Sequence, residues 1–225
     1  MKYAVITYIF GRNKEILREP LVIDKDVEYI CVTDQKSLKS KTWKIIYDGM
    51  SGIKSLRDKM AYVKYNPFKY TNAGIAMTID GSLEIKKSLI PMFESMNGYD
   101  IGLKKHTVRF NLKQELPCWI LRGLPEETVR KFEIMAKTDK INLENVPLYE
   151  TCVVIHKNTN ICKVIGQTNL KYMKFLGNNG NLIITNQCPL SYIMSLYFKS
   201  RKIFYINQFE YFNRYTHNTQ KINKS

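Results

Sequence analysis

Two carboxylates stand where an apolar run begins or gives out. Asp80 follows Ala76-Met77-Thr78-Ile79, and Glu150 opens the run Thr151-Cys152-Val153-Val154-Ile155. An acid so placed is costly to bury without a partner. It can hold a hard divalent cation, which prefers carboxylate oxygen, or accept a proton from a hydroxyl as a general base. The plainer readings are a turn at Asp80-Gly81 and a solvated acid at a strand edge. Other polar groups stand at comparable places: Thr7, Tyr8, Phe10 and Gly11 at the end of the first apolar run, Thr33 and Asp34 after the second, and His156 after Ile155. His106 and Arg109 are three apart, and Arg57 and Lys59 lie in a helical stretch. Such cations neutralise an anion or simply solvate a helix face.

The elements that must position these residues follow from hydrophobic period and punctuation. Runs rich in Val, Ile and Tyr predict strands over 2–9, 27–32, 43–47, 73–79, 100–103, 149–155 and 203–206. Ile53, Leu56, Met60 and Val63 recur at helical spacing, so a helix over 53–65, capped by Ser51 and stopped by Pro67, is expected. Further helices are expected over 88–96, 160–176 and 190–199. Another spans 110–137, broken at Gly123-Leu124-Pro125, where Pro125 with Glu126 and Glu127 restarts it. Alternating strands and helices predict an α/β sheet flanked by helices. Ligands of such sheets bind beyond the carboxyl ends of the strands. That rule places the chemistry at 8–14, 33–34, 80–84 and 150–156, with Glu84 on the same face as Asp80.

Composition bounds the rest. The chain has 225 residues, 44% of them hydrophobic, enough for one large core. One domain is expected over 1–212, followed by a basic polar tail over 213–225. No secretory signal or membrane-length apolar run is evident, so a cytoplasmic protein is expected. The five cysteines form no Cys-x-x-Cys pair, and their odd number speaks against a disulfide framework. The formal charge of +15 is spread along the chain. It fits peripheral contact with an anionic membrane face. With no aromatic-basic motif or finger spacing, nucleic acid is not expected as a partner.

The order of short motifs carries a resemblance. Thr7-Tyr8-Ile9-Phe10-Gly11 is followed by Tyr29-Ile30-Cys31-Val32-Thr33-Asp34, Trp43-Lys44-Ile45, Arg57-Asp58-Lys59 and Ile79-Asp80-Gly81. Then come His106-Thr107-Val108-Arg109, Leu148-Tyr149-Glu150-Thr151, Ile155-His156, and Asn186-Gln187 with Ser191. From about residue 3 to about residue 195 this resembles a glycosyltransferase-like family long catalogued as a domain of unknown function, which includes plant members linked to pectin and mucilage. It is more distantly similar to retaining enzymes of the galactosyltransferase and glycogenin kind. Where that family usually has Asp-Gln, this chain has Asn186-Gln187.

The resemblance implies a GT-A-like, Rossmann-type mixed sheet in a single domain, and transfer of a sugar from a nucleotide-diphosphate sugar, a UDP-sugar by preference. The implied acceptor is a hydroxyl of a glycan or lipid-linked molecule in surface polysaccharide biosynthesis, reached from the cytoplasm or the inner face of the membrane. Donor binding falls to Thr7, Tyr8, Phe10, Gly11, Thr33 and Asp34, with Arg57, Lys59 and Gly81 toward the diphosphate. His106, Arg109, His156, Asn186 and Gln187 become acceptor or sugar contacts. Asp80 and Glu150 become catalytic, Glu150 as general base or as the group that orients the sugar. Asp80 is the implied ligand of Mn²⁺ or Mg²⁺, although Thr78-Ile79-Asp80-Gly81-Ser82 has one acid where the Asp-x-Asp motif has two. Ser191 and His217 are weaker sugar or diphosphate contacts. The rival readings are a non-catalytic basic binding protein and an inactive GT-A scaffold.

Overall fold

The computed structural model describes residues 2–11, 16–176 and 187–215. Its centre is a seven-stranded sheet in the order β3-β2-β1-β4-β7-β6-β8. The strands are β1 (Tyr3–Ile9), β2 (Val27–Thr33), β3 (Lys44–Tyr47), β4 (Ile75–Ile79), β6 (Ile101–Lys105), β7 (Tyr149–Lys157) and β8 (Ile203–Tyr205). β1 pairs in parallel with β2 and β4, β2 with β3, and β6 with β8. β7 alone runs the other way, antiparallel to both β4 and β6. β1 is buried along its whole length, as a strand covered on both faces must be.

The helices are α1 (Leu56–Tyr65), α2 (Ile90–Glu94), α3 (Leu112–Leu121), α4 (Glu126–Thr138), α5 (Asn160–Leu176), α6 (Gln187–Tyr197) and α7 (Gln208–Tyr211). One face of the sheet carries α1 and α3 to α6. There Ala4 and Ile6 of β1 pack on Val63, and Leu103 and Val154 pack within a cluster that includes Trp119, Phe132, Ile165 and Tyr192. The other face packs Val5, Met77 and Ile155 against Leu89, Met92 and Phe93 around α2. α1 and α5 meet closely at Gly166, where an added Cβ would stand 2.4 Å from the carbonyl oxygen of Tyr65. A glycine is needed at that crossing, and α1 is thereby seated against the sheet.

Three expectations shift. α1 starts at Leu56, not 53, because Ser55 rather than Ser51 caps it, its Oγ accepting from the N–H of Asp58 at 3.4 Å. The chain does not leave the fold at 213, since β9 (Phe212–Arg214) pairs antiparallel with β5 (Leu83–Ile85). Glu84 holds that ribbon, accepting from Asn213 Nδ2 at 2.8 Å and Tyr215 Oη at 2.9 Å, so it does not join Asp80 at one site. All five cysteines are free thiols, four of them buried. Among the described residues no helix is long and apolar enough to cross a membrane.

Candidate active site at the mouth of the sheet

The carboxyl ends of β1, β2 and β4 open on one edge of the sheet. Because β7 is antiparallel, its first residues, not its last, reach that same edge. Asp80, just past β4, donates its backbone N–H to Cys152 O at 2.9 Å, which sets Glu150 one step further along the rim. The β6–β7 register also shifts here, from Leu103↔Val154 to Lys104↔Glu150. Such bulges re-aim side chains, and they recur beside active sites.

Two ion pairs converge at this point. Lys64, at the end of α1, places its ammonium 2.9 Å from Asp80 Oδ1, and the same oxygen accepts from Tyr8 Oη. Lys64 is 4% exposed and Asp80 37%. Lys104, on β6, lies 2.5 Å from Glu150 Oε2, with both side chains buried. Glu150 Oε1 faces Thr107, 3.3 Å from its hydroxyl and 3.4 Å from its N–H. Burial alone would raise the Glu150 pKa. The Lys104 hydrogen bond and charge, helped by His106 and the Thr107 N–H, outweigh it and bring the group below the usual carboxylate range. Cys152 stands between the pairs: burial first, then the charges of Asp80 and Glu150, push its thiol up to about 12. It is no nucleophile at neutral pH.

Toward β2 the rim is built by Asp34. Its Oδ1 accepts from the Gly11 N–H at 2.9 Å and its Oδ2 lies 3.4 Å from Lys59 Nζ. Gly11 has φ of 86°, and a Cβ there would meet Leu56 at 2.8 Å, so the turn demands glycine. Gln35 Nε2 closes the turn on Gly11 O at 2.7 Å, and the Lys59 ammonium sits 5.9 Å from the Phe10 ring. Gly11, Asp34, Lys59 and Asp80 thus line one rim, while the rings of Tyr8 and Phe10 are buried beneath it, so Phe10 packs in the core rather than facing a donor. Thr7 and Thr33 lie just inside it and are buried. Thr7 donates to Ile79 O at 3.2 Å and so ties β1 to β4, and Thr33 Oγ1 accepts from Gln35 N–H at 3.1 Å, which fixes the turn after β2. Gly81 is buried behind Asp80.

Toward β6 the rim carries His106 and Arg109. His106 Nδ1 accepts the N–H groups of Val108 at 3.1 Å and Arg109 at 3.0 Å, and Nε2 lies 2.8 Å from Arg109. Burial, then the charge of Arg109, lowers the His106 pKa. Arg109 and Arg122 both pair with Glu115, which is fully buried. Arg57 is exposed at the first turn of α1, on the face that also carries Lys64 seven residues on. Gln187 starts α6, and Ser191 is buried, its hydroxyl accepting from Tyr149 N–H at 2.9 Å to pin the start of β7. Asn186 and His217 lie outside the described residues.

His156 is not at the mouth. It pairs with Ala76, four residues below Asp80, and is buried with its ring edge-on to Tyr65. The physical reason is the direction of β7: its carboxyl end points away from the other strand ends. Burial lowers the His156 pKa to about 4. Its unfolded value is near 6.5, so between those limits the unfolded chain binds the extra proton and stability falls as pH falls. The loss attributable to His156 between pH 6.5 and about 4 should reach about 3 kcal/mol. Urea unfolding of the protein and its His156→Gln variant across that range tests this. Parallel losses in the two would refute it.

The sheet and its flanking helices are those of the GT-A glycosyltransferases. Mouse xyloside xylosyltransferase 1, solved in its apo form, superposes with a TM-score of 0.51 at 9% identity, covering 91% of this chain and 84% of that one. Galactosyltransferase LgtC, solved with donor and acceptor sugar analogs, gives 0.50 at 10% identity, covering 91% and 73%. No protein-family model and no curated protein sequence matches the chain. At these identities the likeness establishes the fold.

Many enzymes of this fold use a divalent cation, and the residues at Asp80 do not fit one. Asp80 Oδ1 is already taken by Tyr8 and by a buried ammonium, and the next place for an acid is Ser82. Among the described residues no three His, Cys, Asp or Glu side chains stand close enough to share an ion. A hard cation needs several oxygens at once. Lys64, Lys104, Glu115 and Arg122 are the participants that motif reading passed over. A lysine closing the apolar Ile101-Gly102-Leu103 run, and a glutamate among Leu112, Leu116 and Trp119, were the available signals.

Proposed function

We propose that the protein is a glycosyltransferase that moves a sugar from a nucleotide-diphosphate sugar, in the first place a UDP-sugar, to a hydroxyl acceptor. The observation that carries this reading is the convergence of the Lys64–Asp80 and Lys104–Glu150 pairs at the mouth of a GT-A sheet. The turn built by Gly11 and Asp34 beside them suits the polar groups of a nucleotide. The sugar then lies over Asp80 and Glu150, and the acceptor approaches from the side of His106 and Gln187.

Glu150 serves this reaction as a fixed negative charge rather than as a base. A carboxylate held below its ordinary pKa is a weak proton acceptor, but it stabilises the positive charge that grows on the anomeric carbon as the diphosphate departs. Val108, Phe110 and Leu121 are exposed apolar side chains on the segment and helix end that also carry Arg109 and Arg122. Together with the net charge of +15 they favour a lipid-linked acceptor at an anionic membrane surface.

Thermal unfolding in the presence of nucleoside diphosphates and their sugars tests the donor reading. Ligand at a hundred times its Kd should stabilise the protein by about 2.7 kcal/mol. A shift with none of the uridine, guanosine, adenosine or cytidine diphosphates would defeat the proposal and favour a non-catalytic binding protein.

A further inference from the structure

The opposite edge of the sheet, where β4 begins and β7 ends, carries a cavity beside the crossing of α1 and α5. Its volume is about 390 Å³, within the ~300–1,000 Å³ range of small-molecule sites. No residue of the mouth lines it. The rings of Tyr62, Tyr65, Phe68 and His156 wall it, Tyr65 and His156 standing edge-on with ring centres 6.2 Å apart. His156 is 1% exposed. Its ring bonds the Lys64 backbone, and Nε2 has no partner among the described residues. Burial keeps the imidazole neutral, so Nε2 is a lone pair that calls for a donor. Two amides of the lining are oriented alike. Asn66 Nδ2 donates to Tyr62 O at 2.8 Å and Asn158 Nδ2 to Ala73 O at 3.4 Å, which leaves the carbonyl oxygen of each as an acceptor. Acceptors among aromatic walls suit a flat ligand with N–H groups on its edge, and they disfavour an anion at that depth. Lys163 and Gln167, one turn apart on α5, are exposed on the same cavity and place a cation at its outer side.

We propose that this cavity is a second nucleotide site, which takes a nucleobase bearing an amino group and holds its phosphate at Lys163. The amino group meets the acceptors contributed by His156, Asn66 and Asn158, and the base lies among the rings. Asn72 and Gln167, exposed at the cavity, donate to the ring nitrogens of the base. The site is independent of the donor reading, because it shares no residue with the mouth.

Calorimetric titration with AMP, CMP, UMP, glucose and inorganic phosphate tests this. AMP or CMP should bind, about tenfold or more tightly than the last three probes, since uracil lacks the amino group. Asn72→Ala and Gln167→Ala should each weaken that binding about fivefold, the size of one neutral hydrogen bond. Both side chains are exposed, so neither change puts the fold at stake. In isotope-labelled protein the nitrogen signal of His156 Nε2 should move when the nucleotide is added, and saturating UDP should leave the affinity unchanged. Binding of none of the probes would mean a cavity that holds water alone and would overturn the proposal. Equal affinity for UMP, glucose or phosphate would overturn it too, as would an unmoved Nε2 signal or unaltered affinity in both variants. Displacement by UDP would assign the nucleotide to the mouth and end the case for a second site.

Discussion

Glu150→Gln should lower turnover by about two to three orders of magnitude while donor affinity changes by no more than a few-fold, the range observed when one preorganised electrostatic group is removed from a reaction centre. Glutamine keeps the shape of the side chain and can still accept from Lys104 and Thr107, so the fold should survive. What is lost is the charge. Because Glu150 is held in its ionised form by Lys104, with His106 and the Thr107 N–H assisting against burial, it carries that charge through mildly acidic pH. A change confined to kcat identifies a group that acts on the transition state, whereas an equal change in KM would mark ordinary binding. Lys104→Met supplies the complementary result. With its main counter-charge gone, burial raises the Glu150 pKa, and the rate should acquire an acid limb at higher pH than in the unaltered protein. Turnover of Glu150→Gln above about a tenth of the original would remove Glu150 from the mechanism.

The second large effect is on stability. Asp80→Ala should cost about 3 kcal/mol, because it removes the carboxylate that pairs with the buried Lys64 ammonium, 4% exposed. The lower end of the range for broken buried pairs is appropriate, since Asp80 itself is 37% exposed. Lys64→Met combined with Asp80→Asn should recover most of that loss, as apolar replacement of a buried pair commonly does. The same double variant should stay inactive if the pair positions the sugar. Chemical denaturation and donor hydrolysis, measured on the single and double variants, separate the two roles. Full activity in the stable double variant would show that the pair is structural alone.

The element order was legible in the sequence wherever local physics dominated. Apolar β-branched runs gave every strand of the central sheet, and α5 fell on the residues expected because its apolar stripe is long and uninterrupted. The same runs placed Asp80 and Glu150 at strand ends. The β5–β9 ribbon was not legible: three-residue strands carry too little pattern to register, and their pairing spans most of the chain. The lysines at the mouth were hidden for a related reason. A lysine in a sequence looks like surface, and only the crowding of α1 and β6 on the sheet shows that Lys64 and Lys104 are buried against carboxylates.

By itself the sequence determined the class of sheet, its flanking helices and the two acids at its strand ends, since burial on two faces and punctuation by polar residues are written in residue order. The tertiary structure decided the direction of β7. Strand direction follows from how distant segments pair, not from the composition of the strand. That one reversal brings Glu150 to the mouth beside Asp80 and carries His156 to the far edge.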